Sequence, residues 1–254
     1  MVDPLLAIEA LTKRFGGVVA SDAISLALMP GELHAVIGPN GAGKSTMIGQ
    51  LTGEIGSDHG RIRFGGRDIT KLPVYRRSWL GLARSFQITS LFSDFTALDN
   101  VALAVQAHSG HSFRFWRAAR GEAALREPAR TALDRVGLAD RADTRVAALS
   151  HGECRQLEIA MALATRPRLL LLDEPMAGMG PEDSARLVAT LRALKGSLTI
   201  LLIEHDMDAV FALADRVSVL VFGRIIASGD PAEIRADAAV RQAYLGDGEG
   251  WEHG

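Results

Sequence analysis

Apolar and polar positions in the first forty residues come in short runs broken by Gly and Pro, a pattern of strands rather than helices. Leu6–Leu11 alternates weakly, and Gly16-Gly17 predicts a turn. Val18–Leu28 is a second extended run, closed by Pro30-Gly31. Leu33–Ile37 is short and apolar, and ends in a glycine-rich loop. Ser45–Leu51 then reads as a helix that stops at Gly53, which completes the strand, loop and helix that open a parallel α/β unit. Gly60–Phe64 followed by Gly65-Gly66 predicts strand and turn. Pro73 starts a helix that runs to Gly81, and Ala83–Gln87 is a short extended piece.

From Leu91 to Thr165 the pattern is helical, and Phe113–Arg145 is rich in Arg and Ala, so this stretch reads as a separate helical subdomain. Alternating elements then return. Leu169–Asp173 is a continuous apolar run, as a parallel strand buried on both faces requires. Pro181–Leu194 reads as a helix, Leu198–Ile203 as a strand, Met207–Ala214 as a helix and Val217–Phe222 as a strand. Glu233–Tyr244 is expected as one last helix, and Gly246–Gly254 as a frayed tail.

Composition narrows the classes. The 254 residues suffice to bury a real core, and 28 Lys+Arg against 30 Asp+Glu give a net charge of −2. No positive field is there to attract a nucleic-acid backbone, so no nucleic-acid partner is expected. The single cysteine, Cys154, excludes an internal disulfide framework and fits a reducing compartment. No secretory signal pattern opens the chain, and no apolar run approaches the ~20 residues that span a bilayer. The Arg and aromatic residues of 113–120 read as a solvated helical face diluted by Glu122, Glu127 and Asp134, rather than as a membrane-binding patch.

Gly38-Pro39-Asn40-Gly41-Ala42-Gly43-Lys44-Ser45-Thr46 matches the phosphate-binding loop G-x-x-x-x-G-K-[ST]. Its glycines let backbone N–H groups turn inward around phosphate oxygens, and the following helix adds its positive end. Lys44 is placed to reach the β- and γ-phosphates, and the Ser45 hydroxyl to take a Mg²⁺ position. Asp173 and Glu174 close the apolar strand 169–173, the first as the Mg²⁺ carboxylate and the second to orient or deprotonate the attacking water. His205 follows the strand ending at Ile203, on the edge expected for Asp173, where it can donate to the γ-phosphate. His34, His59, His108, His111, His151 and His253 show no metal-ligand spacing, and no zinc site is proposed.

With Leu149-Ser150-His151-Gly152-Glu153 the chain resembles the ABC transporter ATPase family, whose signature is usually written LSGGQ. The resemblance covers nearly the whole chain, with the motifs in family order. It implies a P-loop NTPase α/β core with an N-terminal antiparallel β subdomain over about 1–90 and 166–245, and an inserted α-helical subdomain over about 91–165. It implies ATP and Mg²⁺ as cofactors. Phe15 falls on the aromatic that stacks on adenine, Gln87 on the glutamine that serves catalysis and the metal, and His205 on the switch histidine. Ser150, Gly152 and Glu153 fall where the family meets the γ-phosphate bound to a second subunit, which implies a head-to-tail homo- or heterodimer. Ser150 and Glu153 also form a capping box. Departures are His151 for a glycine and Glu153 for a glutamine; a carboxylate there is expected to point back into its own cap. Gly180 before Pro181 stands where the family has Asn or Asp, so that side-chain contact across the dimer is lost.

The wording Glu174–Met179, Leu157–Ala160 and Ala243–Gly246 is similar to the longer ATPase of branched-chain amino acid importers. Urea and short-amide importers share much of it, a lipid or polysaccharide exporter is the other transport reading, and a soluble ABC ATPase is disfavoured because no coiled-coil insertion is present. The resemblance implies two membrane-spanning permease subunits, an indirect substrate-binding protein, and a peripheral position on the cytoplasmic face of the plasma membrane. Permease contact is expected near Gln87 and the 88–95 segment.

Overall fold

The computed structural model describes residues 3–85, 91–108 and 123–245. Strands β1 (Leu6–Phe15), β2 (Val18–Leu28), β4 (His59–Phe64) and β5 (Arg67–Asp68) form an antiparallel sheet in the order β2-β1-β4-β5. Strands β3 (Leu33–Ile37), β6 (Leu82–Arg84), β7 (Leu169–Asp173), β8 (Thr199–Ile203), β9 (Arg216–Val221) and β10 (Arg224–Gly229) form the second sheet, in the order β10-β9-β3-β8-β7-β6. All its pairings are parallel except β10 with β9.

The apolar runs explain the layering. In β7 and β8 every residue is buried, and the pleat sends alternate side chains to opposite faces. Leu170, Leu172, Ile200 and Leu202 join the core beneath α3 (Ala97–His108), α4 (Ala123–Arg135), α5 (His151–Ala164), α6 (Pro181–Leu194) and α7 (Met207–Leu213). Leu169, Leu171, Leu201 and Ile203 pack on the other face, with α1 (Lys44–Thr52) and the antiparallel sheet. Each such leucine contributes about 1.5–3 kcal/mol by leaving water. No described helix is long and apolar enough to cross a membrane.

The strands expected at 18–28, 33–37 and 169–173 and the helix at 181–194 stand where the sequence puts them. Others differ for local reasons. β1 runs on to Phe15, and register shifts between Ile8 and Leu11, with Ala10 at φ 47°, break the alternation by which the sequence would have shown it. Pro73 caps α2 (Val74–Trp79) from an extended conformation instead of being its first residue. The single closing helix is in fact α8 (Pro231–Ala236) and α9 (Ala238–Leu245). Asp237 splits them, because its Oδ1 takes the N–H groups of Ala239 and Val240 and starts the second helix. The segments holding Gln87, 113–120 and 246–254 lie outside the described residues.

Candidate functional site

The carboxyl ends of β3, β7 and β8 lie side by side, since Val36 and Asp173 both pair with Ile203. In an open parallel sheet this edge is where ligands sit. The loop after β3 turns sharply into α1, with Gly41 at φ 77° and Gly43 at φ 104°. Glycine is also demanded by space: a Cβ on Gly43 would lie 2.1 Å from the Ala20 carbonyl oxygen, and one on Gly38 would lie 2.0 Å from that of Leu220. The loop is therefore a cradle pressed against β2 and β9, and within it the Ala42 N–H closes a turn on the Pro39 carbonyl at 3.2 Å. Asn40, Gly41 and Ser45 are exposed, Pro39 and Thr46 half-buried, and Ala42 buried. Lys44 lies back over the loop and donates to the carbonyls of Gly38 and Pro39.

Asp173 ends β7 with its side chain buried; burial pushes its carboxyl up, while Arg84 opposes that shift with a hydrogen bond of 3.0 Å to Oδ2. Glu174 follows in the left-handed region at φ 48°, held by its N–H on the Ile203 carbonyl at 2.9 Å and by the Ala177 N–H on its own carbonyl at 3.2 Å. A non-glycine residue there costs of order 1–3 kcal/mol, strain of the kind that gathers at working sites. His205 stands at the end of β8 with its ring largely exposed. Ser45 and Asp173 offer hydroxyl and carboxylate oxygens, the hard donors that suit Mg²⁺.

Ser150 and Glu153 form the expected capping box at the start of α5: Ser150 Oγ accepts the Glu153 N–H at 3.1 Å, and Glu153 Oε2 accepts the Ser150 N–H at 2.8 Å. Gly152 is fixed by Asp183 of α6, whose Cγ would lie 2.4 Å from an added Cβ. At the far end of β1, Phe15 is half exposed, with the Lys13 ammonium 5.4 Å from its ring centroid.

A profile of the ABC transporter family matches residues 21–177, which hold the cradle, the α5 cap and the β7 carboxylates. The chain belongs to this family. A second profile, of the branched-chain amino acid ATP-binding cassette transporters, matches residues 224–250. Among curated relatives, the high-affinity branched-chain amino acid transport ATP-binding protein BraF of Pseudomonas aeruginosa is 38% identical, over 97% of this chain and all of its own. The protein LivG of Escherichia coli K12, described in the same words, is 37% identical over the same shares. Among solved structures, the ADP conformation of an ATP-binding cassette of an ABC transporter superposes with a TM-score of 0.84 at 30% identity, covering 96% of this chain and 99% of that one. A nucleotide-free cassette gives 0.83 at 30% identity, over 95% and 98%.

As an ABC ATP-binding subunit the chain departs from the usual signature at Glu153, and the structure shows how that carboxylate is absorbed. Burial pushes it up, but the Ser150 N–H and Arg141, 2.8 Å away, hold it below the usual range. A carboxyl with a depressed folded pKa adds stability that is present above its unfolded pKa and lost as pH falls through the folded one. Glu153→Gln is therefore expected to lower the stability at neutral pH by less than about 1 kcal/mol, since the pair is partly exposed, and the melting temperature with it. The difference from wild type should begin to shrink as the pH falls below about 4.3, the ordinary glutamate value, and should vanish only below the lower pKa of the folded protein. An unchanged difference at low pH would show that Arg141 adds nothing through charge.

Two charged residues that the structure brings beside these groups were not legible in the sequence. Glu204 is fully buried beside His205; burial raises its pKa, while it accepts the N–H groups of Met176 and His205 and so ties the loop after Glu174 to the end of β8. Its only signal was an acid directly before the histidine. Arg84 had none beyond its place before Gln87. A cleft of about 500 Å³ opens between the sheet and the helical part, lined by Tyr75, Trp79, Arg84, Leu91, Leu103 and Met161. Of the expected 88–95 contact segment, Leu91 lines it.

Proposed function

We propose that this ABC ATP-binding subunit powers the import of branched-chain amino acids. The chemical part rests on the cradle, Asp173, Glu174 and His205 meeting on one sheet edge, and the substrate on the likeness to BraF and LivG. Backbone N–H groups of Gly41 and of Gly43–Thr46 hold the nucleotide phosphates, and Lys44 leaves the Gly38 and Pro39 carbonyls to reach the β- and γ-oxygens. Phe15 stacks on the adenine through its open face. Ser45, Asp173 and Gln87 hold Mg²⁺, which supplies charge neutralisation at the phosphates. Glu174 orients the attacking water and takes its proton, and His205 donates to the γ-phosphate.

The α5 N-terminus presents Ser150 and Gly152 to the γ-phosphate held by a second subunit, either another copy or a related ATPase. Glu153 serves that site through the cap rather than by contact. Two permease subunits engage the cleft between the sheet and residues 91–165, a substrate-binding protein acts indirectly, and the subunit sits peripherally on the cytoplasmic face of the membrane.

The test is uptake of labelled leucine, urea and a short amide in cells whose native copy carries Glu174→Gln. Loss of leucine uptake alone is the expected result. Retained leucine uptake with loss of another compound would overturn the substrate, and retention of all three would turn the reading toward export.

A further inference from the structure

Arg84 sits at the end of β6 and reaches both ways. Its Nη1 donates to Glu54 Oε2 at 2.7 Å, and its Nη2 to Asp173 Oδ2 at 3.0 Å. The Arg84 side chain is 15% exposed, that of Asp173 2%, and that of Glu54 48%. Such a pair, with one partner almost dry, is not a surface ornament: breaking it leaves an uncompensated buried charge. Nor is Arg84 there simply to satisfy its own donors, since its Nε is buried without a hydrogen-bond partner among the described residues. The charges that face the Asp173 carboxylate are Arg84, Glu174 and Lys44, and Lys44 lies over the loop carbonyls. Arg84 is thus the cation bonded to the carboxylate expected to hold the metal. One further contact matters: Arg84 lines the cleft between the sheet and the helical part.

We propose that Arg84 is a positioning residue that competes with the divalent cation for Asp173 and so sets the cation concentration at which nucleotide is held tightly. This rests on the reading of Asp173 as the metal-holding carboxylate. A guanidinium and a divalent cation cannot both enjoy the full negative charge of one carboxylate, because each lowers the potential the other meets. The arginine holds the Asp173 carboxylate in orientation while the site waits, and weakens the cation's hold once it arrives. The Glu54 contact keeps the guanidinium at this post, since it fixes the other half of the fork.

The experiment is a titration of Mg²⁺ against binding of a fluorescent ADP analogue by the full chain, with the same binding measured in EDTA. Arg84→Gln should lower the half-saturating Mg²⁺ by about tenfold, through loss of one competing charge, and leave binding in EDTA unchanged. Arg84→Lys keeps the charge but cannot bridge both carboxylates, so its value should fall between the two. It also serves if the glutamine variant fails to fold. Melting adds a second readout: Mg²⁺ with ADP should raise the melting temperature of Arg84→Gln more than that of wild type. A purely structural arginine would lower stability equally with and without Mg²⁺ and leave the half-saturating concentration where it was. That outcome, with Asp173→Asn raising the concentration, would overturn the proposal alone. If Asp173→Asn left the Mg²⁺ dependence at the wild-type value, the reading of Asp173 itself would fall.

Discussion

Glu174→Gln is expected to cut ATP turnover by at least about 10²-fold while ATP binding stays at its wild-type strength. The magnitude is that of a positioned general base, which contributes roughly 10²–10⁴-fold. The selectivity follows from the backbone. Glu174 is held in its left-handed conformation by main-chain bonds, its N–H to Ile203 and its carbonyl from Ala177. Glutamine leaves those bonds intact and has nearly the same shape, so the cradle and Asp173 are not disturbed. What it lacks is the ability to take a proton. Phosphate release at saturating ATP measures the first quantity, and a fluorescent ATP analogue the second. Turnover within a few-fold of wild type would remove Glu174 from the reaction. A parallel loss of binding would mean that the side chain supports the nucleotide instead of the water.

The parts of this site that could be read from the sequence are those whose neighbours in space are neighbours along the chain. The cradle is a run of nine residues between a strand and a helix, and its glycines and lysine serve the same phosphate. Asp173 and Glu174 follow directly on the strand that places them, and His205 on another. The Ser150–Glu153 cap is closed within one turn. Arg84 is the opposite case. Its partners stand 30 and 89 residues away, brought to it by the parallel pairing of β6 with β7 and by the end of α1. No local pattern announces an arginine that will bridge two carboxylates. Glu204 is similar, for its main partner Met176 is 28 residues away across a sheet. The fold was legible wherever period and burial agreed, as in β7 and β8, and failed where a side chain overruled them. Asp237 splits the last helix by capping the next one, and the irregular pairing around Ala10 hides the second half of β1.

Gly43→Ala is expected to abolish tight nucleotide binding, weakening it by more than about 10²-fold, or roughly 2.7 kcal/mol. Two costs fall on the same atom. Gly43 has φ 104°, a conformation that an alanine reaches only with strain of order 1–3 kcal/mol. Its added Cβ would also meet the Ala20 carbonyl oxygen at 2.1 Å. That oxygen cannot retreat freely. It belongs to β2, and close by the Asp22 N–H is bonded to the Gly223 carbonyl at 2.8 Å, while the Gly223 N–H bonds to Ala42 in the cradle at 2.8 Å. β2, the β9–β10 turn and the cradle are thus locked together, and the loop itself is the part that must move. Since Gly43 also caps α1 and its carbonyl takes the Met47 N–H at 2.9 Å, the displacement carries the helix start and Lys44 with it. Gly41→Ala separates the two costs. Gly41 has φ 77° but nothing within 4 Å of its added Cβ, so it pays backbone strain alone. The melting temperature should fall in both variants, whereas the dissociation constant for ATP should rise by more than about 10²-fold only in Gly43→Ala. Equal losses of binding in the two would mean that backbone conformation, not the pressure of β2 on the loop, keeps the amides aimed at the phosphates.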